Sequence, residues 1–171
     1  MLRTANINDL DSIMGIVQRI IAEMHGQHNF QWDENYPQVK DFIGDIEKDD
    51  LFVCSKDGQV VGFICINREE PKEYAGLSWS CSKEALVIHR MGVSPDYRKA
   101  GIGAQMVGFA AELAKNSGIE YLKTDTYSLN VKAQSLFQKQ GYTFVGEMSF
   151  LGKEKPFYCY EKSLSSKKED R

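Results

Sequence analysis

Residues 87–104 read VIHRMGVSPDYRKAGIGA, and this stretch decides the fold. It begins inside the apolar run Leu86-Val87-Ile88, which predicts a strand over 85–93 that is covered on both faces. Pro95 then marks a turn, and the pattern Arg98-x-x-Gly101-x-Gly103 leads into a segment with helical spacing. The sequence therefore predicts a strand, a short turn and a helix in direct succession.

The start of this predicted helix has the features of an anion site. The first N–H groups of a helix lack intrahelical acceptors, and the positive end of the helix dipole lies there. Glycines let a ligand approach the main chain closely, and Arg98 and Lys99 add positive charge. A pyrophosphate suits such a site, but the dinucleotide fingerprint fails because Met106 replaces its third glycine. The P-loop pattern is also missing, and a tight turn without a ligand remains the alternative.

Helical periodicity predicts three further helices. The clearest apolar stripe begins after Asn8, the expected N-cap, and continues to Met24. A second helix is expected between Pro37 and Lys48, and the last one over 130–140. The helix that follows the glycine pattern is expected to end at Gly118, because glycine favours the left-handed conformation at a helix C-terminus.

Strand patterns fill most of the remaining chain. Residues 51–54 and 60–66 flank Asp57-Gly58, a strong signal for a two-residue hairpin turn. Residues 68–82 are polar and predict a loop. The other predicted strands cover 2–5, 85–93, 119–126, 142–150 and 157–164. This order of elements predicts an α/β fold: a mixed sheet with helices on both faces.

Length and composition agree with one globular domain over 1–164, followed by a charged tail over 165–171. The chain has 171 residues, of which 42% are hydrophobic and 26% charged. Its net charge of -3 argues against nucleic acid as a partner, since a phosphate backbone demands a basic surface.

Several further classes of protein and site are disfavoured. No apolar run approaches the roughly 20 residues of a membrane span, and the N-terminus does not resemble a signal peptide. We therefore expect no membrane association and a cytoplasmic location. The four cysteines form no C-x-x-C pair and the three histidines no H-E-x-x-H motif, so we expect no metal.

Two motifs resemble one known family. The stretch His89-Arg90-Met91-Gly92-Val93-x-Pro95-x-Tyr97-Arg98-x-x-Gly101-Ile102-Gly103 resembles the cofactor motif of the GNAT superfamily of acetyl-CoA-dependent N-acetyltransferases. Downstream, Asn130-x-x-Ala133-x-x-Leu136-Phe137-x-x-x-Gly141-Tyr142 is similar to the second motif of that family. The two motifs occur in the family's order, and the resemblance covers nearly the whole chain.

The resemblance implies a mostly antiparallel sheet of six to seven strands whose central strands splay apart near a bulge at Gly92. It implies acetyl-CoA as co-substrate, and transfer of its acetyl group to a primary amine by direct attack in a ternary complex. The cofactor-binding residues implied by the resemblance are Met91, Gly92, Val93, Arg98, Lys99, Ala100, Gly101, Ile102, Gly103, Ala104, Asn130, Ala133 and Phe137. For Asn130, a plain helix N-cap is the alternative role, and both roles are compatible.

Catalysis requires a neutral amine, so a base is expected to remove a proton. His89 is the first candidate: its unperturbed pKa of about 6.5 suits a base, and its spacing places it on one face with Met91 and Val93. Glu84, at the start of the same strand, is the second candidate. For His89, a purely structural role in the strand is the alternative.

Phe137 departs from the family pattern, in which a tyrosine often protonates the leaving thiolate. Tyr127 or Tyr142 could substitute for it, although a thiol with a pKa near 8.5 already leaves tolerably. Because Phe137 cannot donate a proton, a CoA-binding sensor without catalysis is the alternative function.

The acceptor side is expected in the aromatic and acidic loop over 30–37. There Trp32 and Tyr36 are the candidate walls for a small-molecule amine, unless they only fill the core. A protein or peptide acceptor is the alternative. The sequence also leaves open whether the protein forms a homodimer, and the apolar strand 157–160 could contribute to its interface.

Overall fold

A computed structural model describes residues 1–165 of the chain. Apart from Ser165, the charged tail expected over 165–171 lies outside the described residues. The described part contains four α-helices and seven strands. The helices are α1 (Leu10–Gly26), α2 (Val39–Glu47), α3 (Ile102–Asn116) and α4 (Val131–Lys139). The strands are β1 (Leu2–Thr4), β2 (Leu51–Lys56), β3 (Gln59–Asn67), β4 (Leu86–Val93), β5 (Tyr121–Tyr127), β6 (Thr143–Met148) and β7 (Phe157–Ser163).

The strands form one sheet in the order β1-β2-β3-β4-β5-β7-β6. Only the β4–β5 pair is parallel, and the other neighbouring pairs are antiparallel. The β2–β3 hairpin turns at Asp57 and Gly58, whose φ angles of 52° and 75° are those of the expected tight turn. The predicted fold class, a mixed α/β sheet that is mostly antiparallel, is confirmed.

Helices cover both faces of the sheet because alternate strand residues point to opposite sides. On one face, α1 and α2 pack on a core that includes Leu51, Val53 and Phe63. On the other face, α3 and α4 pack on a core that includes Ile64 and Ile88.

The sheet opens between β4 and β5. Their pairing covers only Leu86 to Ile88 against Leu122 to Thr124, and the last contact is a hydrogen bond from Thr124 Oγ1 to the Ile88 carbonyl at 3.0 Å. Beyond that point β4 continues to Val93 beside β3 alone. The expected splaying of the central strands is confirmed, and the free edge of β4 borders a slot through the sheet.

The bulge lies at His89 and Arg90, two residues before Gly92, near which it was expected. Ile64 faces Met91 and Ile66 faces Ile88, so over this interval β4 contains one residue more than β3. Gly92 serves a different purpose: a Cβ there would lie 2.7 Å from Ile20 Cδ1 of α1 and 2.7 Å from Phe63 Cζ. The glycine is needed because α1 packs against the strand at this position.

Two smaller expectations are also corrected. Asn6, not Asn8, caps the N-terminal turn, where its side chain accepts from the Asn8 N–H at 2.9 Å. Strand 157–160 lies inside the sheet, between β5 and β6, with Phe157, Cys159 and Tyr160 buried in the core. Those three side chains are therefore not available to a subunit interface.

Candidate functional site

The start of α3 is built to receive an anion. Gly101 occupies the N-cap with a φ of 75°, Lys99 also has a positive φ of 66°, and no side chain caps the helix. In contrast, Asn130 caps α4 by accepting from the Ala133 N–H at 3.2 Å. The first N–H groups of α3 are thus left without a side-chain partner, as an anion site requires.

A groove of about 640 Å³ runs from this helix start towards the slot between β4 and β5. It contains eleven of the residues that the sequence assigned to the cofactor: Met91, Gly92, Val93, Arg98, Lys99, Gly101, Ile102, Gly103, Ala104, Asn130 and Ala133. Ala100 does not line it, and Phe137 lies in the adjoining cavity. Residues distant in sequence are therefore gathered along one surface.

The groove is basic, with one acid among its cations. Arg98, Lys99, Lys132 and Lys139 line it, as does Glu23 of α1. Arg98 Nη1 donates to Glu23 Oε1 at 2.6 Å, and the Lys132 ammonium lies 3.8 Å from the same oxygen. An anionic ligand in the groove would meet positive charge from α3 and α4, and this one carboxylate.

Gly103 sets how closely α3 approaches α4. A Cβ at this position would lie 3.1 Å from Leu136 Cδ2, tighter than ordinary van der Waals contact. The second glycine of the motif therefore keeps the two helices in close contact beside the groove, as well as permitting a ligand to approach.

A smaller cavity of about 150 Å³ adjoins the groove. The two share Met24, Met91, Asn130 and Ala133, so the slot joins them. The remaining lining residues are Gln31, Trp32, Tyr36, Pro71, His89, Arg90, Asp125, Thr126, Phe137, Phe150, Leu151 and Phe157. A molecule in this cavity would therefore contact a ligand that extends along the groove past Met91.

His89 faces this cavity, but not on the face expected. The bulge shifts the alternation, so Met91 and Val93 pack with the α3 side of the core while His89 turns towards Asn67. Its Nε2 lies 2.5 Å from Asn67 Oδ1. Because that oxygen also accepts from the Glu69 N–H at 2.9 Å, it is fixed as an acceptor, and Nε2 must carry the hydrogen.

The surroundings make His89 a weak base. Burial, together with the neighbouring Arg90 guanidinium, lowers the pKa of His89 to about 4. The unperturbed pKa of about 6.5, which suggested His89 as a base, therefore does not describe this imidazole in the folded protein. The imidazole is neutral at pH 7, and only Nδ1 is left to accept a proton.

Arg90 lines the cavity, but its guanidinium is occupied by protein partners. Its Nε and Nη2 donate to the two oxygens of Asp45 at 2.9 and 2.5 Å, and Nη1 donates to the Tyr36 hydroxyl at 2.9 Å. The guanidinium is thus neutralised by a bidentate pair with α2, and it anchors the aromatic loop through Tyr36.

Sequence reasoning missed Asp125 and Tyr74. Asp125 is in the middle of β5 and lines the cavity; its Oδ2 accepts from the Tyr74 hydroxyl at 2.6 Å. Burial raises the pKa of Asp125 to about 6, and it raises that of Tyr74 well above its usual value. A carboxylate inside an otherwise buried strand was the available signal for Asp125. Nothing in the polar loop indicated that Tyr74 would reach it.

Glu84 and Tyr127 do not line the cavity. Glu84 precedes β4 on the surface, where it pairs with Arg68 at 3.1 Å. Tyr127 is buried among other side chains, and its hydroxyl accepts from the Lys155 N–H at 3.1 Å. Of the three catalytic candidates, only His89 faces the cavity.

Phe137 lines the cavity and offers no proton there. Tyr142 packs against it with the rings tilted by 56° at a centroid distance of 5.4 Å, but the Tyr142 hydroxyl is buried without a hydrogen-bond partner among residues 1–165, and burial raises its pKa. Tyr142 lines neither the groove nor the cavity.

The aromatic loop has a double role. Trp32 is 5% exposed and stacks on Phe63 at 6.2 Å, so most of its surface belongs to the core below α1. It also forms one wall of the cavity, as does Tyr36. Lys153 ties this loop to the β6–β7 connection by donating to Asp33 Oδ2 at 2.7 Å. This contact holds the pKa of Asp33 below its usual range.

Comparison with known proteins decides the family. The model of the acetyltransferase (GNAT) family matches residues 17–142, which include the groove, the slot and both motifs. The chain belongs to the GNAT family of acetyltransferases. This GNAT protein is accordingly an acyl-CoA-dependent N-acetyltransferase, as the two motifs predicted.

Individual relatives of this GNAT acetyltransferase are distant. The uncharacterised N-acetyltransferase YesJ of Bacillus subtilis is 24% identical over 147 residues, which cover 81% of this chain and 78% of YesJ. A GNAT-family acetyltransferase structure from Streptococcus agalactiae 2603 has a TM-score of 0.84 at 24% identity and covers 97% of this chain and 96% of its own. The structure of YncA from Salmonella typhimurium with its cofactor acetyl-CoA has a TM-score of 0.68 at 15% identity, covering 96% and 94%.

Two further features concern the described residues, 1–165, of this GNAT protein. No cluster of three or more His, Cys, Asp or Glu side chains within this range could hold a metal ion. None of its helices is long and apolar enough to cross a membrane.

Proposed function

We propose that this GNAT protein transfers the acetyl group of acetyl-CoA to a primary amine of a small molecule, by direct attack in a ternary complex. The observation that carries the proposal is the junction at Met91, where the basic groove meets a small cavity of different chemistry. CoA is long and anionic, which suits the groove, and an amine in the cavity would lie beside its thioester end.

The groove supports the cofactor half of the proposal. The pyrophosphate would accept hydrogen bonds from the N–H groups over 99–104, and the free edge of β4 over 91–93 would pair with the pantetheine amides like an added strand. Gly103 and Asn130 lie along the same path. The Salmonella protein known with acetyl-CoA shares the overall fold, which agrees with this assignment.

The cavity supports a small acceptor over a protein chain. Its volume of about 150 Å³ would hold only about five water molecules. Trp32, Tyr36, Phe150 and Phe157 line it with aromatic side chains. The contact of Lys153 with Asp33 ties the loop of Trp32 and Tyr36 to the β6–β7 connection, which carries Phe150. A protein acceptor would have to insert its terminus alone.

His89 is retained as a group that touches the acceptor. Its hydrogen bond to Asn67 leaves Nδ1 free, although a pKa of about 4 limits the proton affinity of that nitrogen. Glu84 and Tyr127 would need a rearrangement of their present contacts to take part. We place the reaction in the cytoplasm, with no nucleic acid, membrane or metal involved, and a homodimer as a state to be measured.

The alternative, a CoA-binding sensor without catalysis, rests on Phe137 alone, which cannot protonate the leaving thiolate, and membership of the acetyltransferase family speaks against it. Release of CoA thiol from acetyl-CoA in the presence of a primary-amine panel separates the two functions. We expect amine-dependent release. Tight acetyl-CoA binding without release for any amine would contradict the enzyme and support the sensor.

A further inference from the structure

Among the described residues, the cavity offers an acceptor one carboxyl group and no free cation. Arg90 is the only Lys or Arg among residues 1–165 that lines the cavity, and Asp45 occupies it with two hydrogen bonds. The Tyr36 hydroxyl takes a third donor of the guanidinium. A carboxylate or phosphate group of an acceptor in the cavity would therefore have no free cation to pair with.

Asp125 is the carboxyl group that faces this space. Its Oδ2 is engaged by Tyr74, while its Oδ1 has no hydrogen-bond partner among the described residues, and the residue lines the cavity. An oxygen in this state is ready to accept a hydrogen bond from a bound ligand.

Tyr74 holds Asp125 in place from the loop that precedes β4. Tyr74 is 1% exposed and packs against Trp79 at a centroid distance of 5.0 Å. The Trp79 Nε1 donates to the Tyr74 carbonyl at 2.8 Å, which fixes the turn that carries the tyrosine. The hydroxyl is thereby a positioned donor to Oδ2.

The charges around Asp125 leave it able to take a proton. Burial raises its pKa to about 6, the Tyr74 hydrogen bond opposes that rise, and Glu73 on the same loop adds to it. His89 on β4 is neutral because its pKa is about 4, and the Arg90 charge is compensated by Asp45. Cys159 on β7 and Tyr36 stay protonated, since burial raises the pKa of both.

We propose that Asp125 binds the ammonium group of the acceptor and removes its proton, and that the acceptor is a compact amine with no carboxylate or phosphate beside its amino group. The assignment deepens the acetyl transfer proposed above and depends on it. Asp125 would be the catalytic base and Tyr74 its positioning residue. The aromatic walls of Trp32, Tyr36, Phe150 and Phe157 suit an apolar or cationic remainder of the molecule.

The proton transfer balances with the bond changes. Oδ1 takes one proton from the ammonium, and the electron pair left on nitrogen forms the bond to the thioester carbon. The C–S bond then breaks with its electron pair on sulfur as the carbonyl re-forms. The second nitrogen proton goes to that thiolate, which yields CoA and the amide, and Asp125 returns its proton to solvent.

The acceptor class can be tested with matched probes. Leucine, leucinamide and 3-methylbutylamine share one side chain and differ in the group beside the amine. We expect kcat/KM for 3-methylbutylamine to exceed that for leucine by at least about tenfold, since that ratio needs only about 1.4 kcal/mol of carboxylate repulsion. Leucinamide should react well despite its branch. Equal or faster reaction of leucine would overturn the acceptor class.

The role of Asp125 is tested by Asp125→Asn, with the exposed Glu112→Gln of α3 as matched control. We expect the asparagine variant to bind acetyl-CoA unchanged and to lose about 10²- to 10⁴-fold in kcat/KM. Glu112→Gln should behave as wild type. An unchanged rate for Asp125→Asn, in a wild-type protein that does acetylate amines, would refute the base while leaving the proposed function intact.

Tyr74→Phe separates positioning from a merely structural role. The variant keeps the ring but removes the hydrogen bond that stabilises ionised Asp125, so the acid limb of kcat/KM, expected near pH 6, should move to higher pH. A limb that stays in place would show that Tyr74 does not act through Asp125 and would count against the proposal.

Discussion

The guanidinium of Arg98 at the start of α3 donates to the carboxylate of Glu23 on α1 at 2.6 Å, inside the groove assigned to an anionic ligand. Both side chains are 30% exposed. The arginine that should meet the ligand's phosphates is thus already paired with a protein anion. A bound pyrophosphate and Glu23 would compete for the same donor.

This competition predicts that Glu23→Gln binds CoA more tightly. The substitution releases Arg98 and removes a negative charge from beside the phosphates. A partly exposed pair contributes up to about 1 kcal/mol, so Kd should fall about two- to fivefold in a calorimetric titration. Glu112→Gln, outside the groove, removes an equal charge and should leave Kd unchanged. Weaker binding by Glu23→Gln would mean that Glu23 holds Arg98 in its productive position.

We expect a substitution at Gly92 to destabilise the protein, and a glycine substitution elsewhere serves as its control. In Gly92→Ala, the new methyl group would overlap Ile20 and Phe63 at 2.7 Å, so we expect a loss of about 1–3 kcal/mol in the free energy of unfolding. Gly108→Ala on α3 meets nothing within 4 Å and should gain about 0.5–1 kcal/mol from helix propensity. Urea unfolding measures both. Equal effects would show that α1 does not press on β4 at Gly92.

We expect Trp32 to contribute mainly to the stability of the folded protein. Its indole is buried against Phe63, so Trp32→Ala should lower the free energy of unfolding by about 3–5 kcal/mol. Phe30→Ala in the same loop removes a ring that is 50% exposed and should cost much less. Thermal unfolding of the two variants is the measurement. A Trp32→Ala protein as stable as wild type would place the indole outside the core.

The lowered pKa of His89 leads us to expect that acidification destabilises the folded protein. Because its pKa is lowered to about 4 in the folded protein, the unfolded chain binds a proton below about pH 6.5 that the folded chain does not. The free energy of unfolding should therefore fall between pH 7 and 5 by about 1–2 kcal/mol more in wild type than in His89→Gln. The raised pKa of Asp125 has the opposite effect on the free energy of unfolding over pH 4–6. Because both proteins contain Asp125, its contribution cancels when the two profiles are compared. Parallel pH profiles would contradict the buried, neutral histidine.

Much of the fold followed from local pattern. The hairpin at Asp57-Gly58, the helix over 39–47 and the strand–turn–helix unit over 86–116 were all predictable. Their signals are contained in a few neighbouring residues: a turn dipeptide, an apolar stripe, glycines before a helix. The exact position of the bulge, at His89 and Arg90, was not predictable because it depends on the register of β4 against β3.

For the site, the sequence by itself determined the family, the glycine-rich start of α3 and the part of the groove that lies over 91–104, because one continuous segment supplies that part. Only the tertiary structure decided the chemistry of the cavity. It brings Tyr74 to Asp125 across 51 positions and Asp45 to Arg90 across 45, and it buries His89 until its pKa falls to about 4. Charge, burial and proton affinity depend on which groups surround an atom in space, and distant segments supply those groups only after the chain has folded.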